Sequence, residues 1–87
     1  VLNSAWSHAC MKRRQQFTAI IEREGDWYVA ICPELDVASQ GESVEEARDN
    51  LIEAIELFLE TADASEVEAR LHNEVFVTQV GVLVGQA

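Results

Sequence analysis

The clearest pattern along the chain lies between Ser43 and Asp63. Val44, Ala47, Leu51, Ile52, Ile55, Phe58 and Leu59 recur at steps of three and four. That spacing puts all seven on one face of an α-helix. Ser43 is a natural N-cap and Glu46 stands three residues on, the pairing of a capping box. The pattern predicts a helix over residues 43–61, ending near Thr61–Asp63. A shorter helix should follow, with Ser65 as cap and Glu68 three residues on. Val67 and Leu71 would form its apolar side and His72-Asn73 its end.

Before the helix the period changes to two. Phe17 to Arg23 (FTAIIER) and Trp27 to Ile31 (WYVAI) are β-rich runs separated by Glu24-Gly25-Asp26, a hairpin signal. Both faces of this hairpin carry apolar residues: Phe17, Ala19 and Ile21 alternate with Thr18, Ile20 and Glu22. One face must receive the helix. For the other, Ile20 and the aromatic pair Trp27/Tyr28 predict a second cover from another subunit or a partner, because a solvated antiparallel face would be polar. Pro33 stops the pairing for want of an N–H, Glu34 and Leu35 form a corner, and Asp36–Gln40 is a third short strand. Val75 to Val84 (VFVTQVGVLV) predicts a fourth strand, apolar on both faces and suited to the sheet interior. The expected fold is α+β in the order β-β-β-α-(short α)-β, a hairpin-based mixed sheet with its helices on one face.

Eighty-seven residues suffice for one small domain, and 48% apolar residues supply a core rather than a disordered chain. Residues 1–16 lack a clean period and are expected to be an N-terminal extension, with Met11 before Lys12-Arg13-Arg14 as the true start. Residues 17–87 form the domain. His8 and Cys10 are two ligands at most, too few for a structural zinc site. No secretory signal and no long apolar run is present, so a soluble cytoplasmic protein is expected.

Charge adds a second face to the long helix. The net charge is −10, and the stretch from Glu24 to Glu74 holds 15 acidic residues against Arg48 and Arg70. Glu45, Asp49, Glu53, Glu56, Glu60 and Asp63 recur at helical steps and form a ridge of like charge, relieved only where Arg48 can pair with Glu45. Each such repulsion costs about 0.2–0.5 kcal/mol in an isolated helix. The ridge serves either as a solvated face or as a surface for a basic partner. Phosphate backbones would be repelled, so direct DNA binding is not expected.

An ordered set of short motifs then carries a family resemblance. Trp27-Tyr28 in a hairpin, Cys32-Pro33-Glu34-Leu35, Ser39-Gln40-Gly41, Ser43, Glu46-Ala47 and a helix running to Leu57-Phe58-Leu59-Glu60 resemble the HicB-type antitoxin family over about residues 17–62. The resemblance implies a partial ribonuclease-H-like fold. It also implies a partner: a HicA-type toxin, a small basic ribonuclease that cleaves mRNA with a histidine and is occluded by its antitoxin. Many members carry a C-terminal DNA-binding domain; with Ala87 three residues beyond the last predicted strand, the stand-alone form is expected here.

Trp27 and Tyr28 are candidate aromatic anchors for that partner, Glu34 and Asp36 candidate acids at the corner, and Glu53 and Glu56 candidate acids on the ridge. No catalytic, metal or cofactor residue is assigned. A ribonuclease-H-type enzyme needs carboxylates clustered on central strands to hold two Mg²⁺ ions, and FTAIIER has no Asp. His72 has no nucleophile in a recognisable spacing. The alternative function is an orphan interaction or ligand-binding module that self-associates without a toxin, and a homodimer or higher oligomer is expected on either reading.

Overall fold

The computed structural model describes residues 15–85. Expectations for Met11, the Lys12–Arg14 run, Trp6, His8 and Cys10 lie outside the described residues. Three strands, β1 (Ile20–Glu24), β2 (Trp27–Cys32) and β3 (Val37–Gly41), are followed by two helices, α1 (Val44–Thr61) and α2 (Ala64–Leu71). The class is α+β. The sheet has the order β1-β2-β3 and both pairings are antiparallel, so it is not mixed.

Gly25 makes the hairpin tight. It takes φ +61°, which leaves a two-residue loop of Gly25-Asp26 and lets Glu24 pair with Trp27. A positive φ at the first central position of such a loop suits the right-handed twist of the flanking strands. The register then sets the faces. Ile21, Ala30 and Ser39 lie in one row, and Ile20, Ile31 and Ala38 in the next, on the opposite face. After Cys32 a turn through Pro33–Asp36 reverses the chain, and Asp36 itself adopts φ 58°. Asp36 is thus the last turn residue rather than the first of β3, a conformation Asp tolerates better than most side chains.

The predicted cap of α1 is present. Ser43 Oγ accepts a hydrogen bond from the Glu46 N–H at 3.0 Å, and the Glu46 carboxylate accepts from the Glu42 N–H. For α2 the expected Ser65 cap is replaced by Asp63, whose side chain makes no capping bond. The Val67 N–H is satisfied by the Asp63 carbonyl instead, so the helix begins two residues earlier without the box.

The core is small: Ala30, Cys32, Leu35, Ala47 and Leu51 are buried, and Phe17, Ile21, Tyr28, Val37, Ile55 and Phe58 pack around them. Burying Leu35 and Leu51 contributes about 1.5–3 kcal/mol each. Helix α1 lies chiefly over β3 and β2, with little contact to β1. Its start can sit this close because position 41 has no Cβ. A Cβ on Gly41 would stand 2.5 Å from the Ala47 backbone nitrogen and 2.8 Å from the Glu46 carbonyl carbon. The expected apolar stripe is only partly used: Ala47 and Leu51 are buried, whereas Val44, Ile52 and Leu59 stay exposed.

The fourth strand expected over Val75–Val84 does not form. From Asn73 to Gly85 the chain has no regular secondary structure, and every residue from Phe76 to Gly85 is exposed. Leu83 is 103% exposed and Phe76 86%. β-Propensity resides in the side chains, but a strand exists only through its ladder, and this segment reaches no edge of its own sheet.

Gly41→Ala should destabilise the fold by about 1–3 kcal/mol, because backbone must move to admit the methyl group. Leu51→Ala should cost about 2–5 kcal/mol. Urea unfolding followed by circular dichroism measures both, and a neutral Gly41→Ala would refute the close approach of α1 to β3.

Candidate partner interface

The six residues proposed from sequence do not form one site. Trp27 and Tyr28 are neighbours in β2, so their side chains leave opposite faces of the sheet. Tyr28 packs against the core beneath α1, with the Arg23 guanidinium 6.0 Å from its ring centroid. Trp27 is 44% exposed on the helix-free face, beside the hairpin loop. Trp27 therefore stays available as an anchor, and Tyr28 is a packing residue. Ile31 is also exposed on Trp27's face, and Ile20 and Val29 are half-buried there. This face thus carries apolar residues as the alternation predicts, with Glu22, Glu24 and Gln40 among them.

Glu34 belongs to the structure of the corner. Its carboxylate accepts from the Thr18 N–H at 3.1 Å and from the Thr18 hydroxyl at 2.6 Å, and lies 3.5 Å from the Cys32 thiol. Burial alone would raise its pKa. The Thr18 hydroxyl and the backbone donors of Glu34 and Thr18 outweigh that burial and hold it below the ordinary value. Burial pushes the Cys32 thiol up, and the adjacent Glu34 carboxylate adds to the effect. Cys32 is a free, buried thiol held in its protonated, unreactive form.

Two residues that carried no sequence signal converge on the same corner. Arg70 in α2 donates to the Leu35 carbonyl and to Glu66 Oε2, and its guanidinium sits 5.1 Å from the Phe58 ring centroid. Asn73 donates to the Glu34 carbonyl at 3.2 Å. These contacts span 35 and 39 positions, and nothing local in the sequence announces a pairing at that distance. Together they fasten the end of α2 to the corner and set the point from which residues 74–85 leave the body.

Asp36 is exposed at the end of the turn, away from the Thr18 network. Glu53 and Glu56 are exposed on α1, as are Glu45, Asp49 and Glu60, and Asp63 is exposed at the cap of α2, so the ridge is continuous and wet. Arg48 pairs with Asp49 at 3.0 Å rather than with Glu45, and both side chains are largely exposed, so the pair neutralises little. His72 is the C-terminal residue of α2, exposed and 3.3 Å from Glu68.

A mainly apolar groove of about 420 Å³ runs between α1 and the approach to β1, lined by Phe17, Ile52, Ile55 and Leu59, with Gln15, Gln16 and Glu56 as its polar members. A second, more polar cleft of about 360 Å³ lies where Phe17, Glu34 and Arg70 meet Val75 and Phe76. Among the described residues no three His, Cys, Asp or Glu side chains cluster as metal ligands, and no helix is long and apolar enough to cross a membrane. The chain matches no known family model, no curated protein and no solved structure.

The Glu34 network makes stability pH-dependent in a defined direction. A depressed folded-state pKa contributes stability that is full above the ordinary glutamate value of 4.5 and is lost as pH falls through the lower folded value. Thr18→Val should lower stability at neutral pH by about 1–2 kcal/mol and flatten the acid loss. Thermal unfolding midpoints across an acid pH series check this. An equal offset at every pH would show that the hydroxyl does not act through Glu34.

Proposed function

We propose that the protein is a non-catalytic, antitoxin-like binding protein that occludes a small basic ribonuclease of HicA type. The observation that carries this reading is the line of exposed carboxylates on α1, from Glu45 to Glu60, with Arg48 alone among them and Asp63 just beyond the helix. Spaced along a rigid helix, these charges offer a basic, RNA-binding surface a mimic of a phosphate backbone. Trp27 and its apolar face give the same partner a desolvated anchor, and Asp36 adds charge at the corner. The motif order from Trp27-Tyr28 to the Leu57–Glu60 end of α1 supports the family assignment. The antiparallel β-β-β-α order is compatible with a partial ribonuclease-H-like domain. A cytoplasmic setting follows from the partner, an mRNA-cleaving enzyme.

The second reading is a self-associating module with no toxin partner. The uncovered face bearing Trp27 and Ile31 and the exposed apolar segment after α2 favour it. Both readings predict a complex, and they differ in whether the other member is basic.

The double substitution Glu53→Lys/Glu56→Lys should weaken binding to a co-expressed basic ribonuclease at least tenfold, measured by calorimetry, and the loss should shrink as salt is raised. Both positions are exposed, so the fold should survive. Unchanged affinity would remove the ridge from the interface, and failure of co-expression to rescue growth would favour the orphan module.

A further inference from the structure

This chain carries both halves of an interaction that it does not make with itself. One half is an open sheet edge. Among the described residues β1 is bonded on one side only, to β2. The other edge of the sheet, β3, is guarded: α1 lies closest to it, and Asn50 donates to the Gln40 carbonyl at 2.8 Å. Beside the open edge, on the helix side, lies the groove of Phe17, Ile52, Ile55 and Leu59, which α1 leaves unfilled because it sits over β2 and β3.

The other half is the segment from Val75 to Val84. It is rich in β-branched residues, uncharged and long enough to make a strand, which would put Phe76, Thr78, Val80, Val82 and Val84 on one side and Val75, Val77, Gln79, Gly81 and Leu83 on the other. It leaves the body beside Phe17, where Val75 and Phe76 share a cleft with Glu34 and Arg70, and runs on with every residue exposed. Ten residues span about 30 Å as a strand, ample for the length of β1.

We propose that the Val75–Val84 segments of two copies of this chain are exchanged, each adding as a fourth strand to the outer edge of β1 in the other copy. The Phe76–Val84 face fills the groove between Phe17 and α1. Reciprocal exchange closes a two-fold dimer and leaves no donor strand over. The area suffices. Six tail side chains, Phe76, Val77, Val80, Val82, Leu83 and Val84, are exposed, each worth roughly 60–120 Å² of apolar surface if buried. Counting both tails and the surfaces they cover, the dimer buries roughly 1,400–2,900 Å², the size of a stable interface or more. The segment's lack of charge matters in a chain of net charge −10, because it is the long stretch where two copies meet without opposing carboxylates. This inference is independent of any toxin partner.

The test has two parts. In sedimentation equilibrium the full chain should run at twice its 9.7 kDa mass, and Val80→Asp should raise the dimer dissociation constant at least tenfold while helical circular dichroism is kept. In the second part, ¹⁵N-labelled chain is mixed with unlabelled chain carrying a nitroxide at Gln79→Cys in a Cys10→Ser background. Amides of Phe17–Glu24 in the labelled chain should broaden, a signal that can arise only between copies and that does not depend on how Val80→Asp folds. A monomer overturns the proposal. So does a dimer without this broadening, and so does broadening seen only when nitroxide and label share one chain.

Discussion

The seating of α1 on the sheet depends on one close approach. Where the chain leaves β3, Gly41 presents bare backbone to the first turn of the helix, and the Ala47 nitrogen occupies the space a Cβ would need. Ala47 itself adds only a methyl group on that side. The two small residues bring the helix axis low enough for Leu51, one turn on, to reach the buried set of Ala30, Cys32 and Leu35. The Ser43 cap fixes where the helix starts, and the Gly41 approach fixes how deep it lies. With so few buried side chains, a shift of the helix outward would uncover most of the core at once.

The second constraint is the corner at Pro33–Asp36. Glu34 binds Thr18 ahead of β1, Arg70 binds the Leu35 carbonyl, and Asn73 binds the Glu34 carbonyl. One turn thereby ties together the entry to the sheet and the exit from α2. A carboxylate in this role is stronger than a neutral group, because two donors from one residue converge on it. It also means that an acid predicted for a partner is already committed. Glu34 holds the frame from which the acids proposed to meet a partner, Asp36 and the α1 ridge, are displayed.

What could be read from the sequence divides along the range of the interaction responsible. The helix from Val44, its Ser43–Glu46 cap, the Gly25 hairpin and the buried state of Cys32 all follow from residues within a few positions of one another. The faces of Trp27 and Tyr28 were equally available from the two-residue period, although an adjacent aromatic pair invites treatment as a unit. The role of Glu34 was not legible, since its distant partners are Thr18 and Asn73, and a corner acid looks the same whether it faces solvent or a hydroxyl. The segment from Val75 shows the reverse case. Its strand-forming character is plain in the residues, but a strand needs an edge, and no local signal says which chain supplies it.

The charge and the small core bear on each other. Five buried side chains are a thin interior for a domain already near the lower size limit for independent folding, and the carboxylates from Glu24 to Glu74 repel one another across it. Such a chain gains more than most from any partner that removes apolar surface or supplies positive charge, because either adds directly to a small stability margin. The two kinds of partner would use different ground: a basic protein meets the α1 ridge, and a second copy meets the uncharged segment after α2 and the groove beside β1. These surfaces meet at Glu56, which belongs to the ridge and also lines the groove. The rest of the ridge, from Glu45 to Glu53, lies clear of that lining, so a dimer built through the strand would leave those carboxylates for a basic partner.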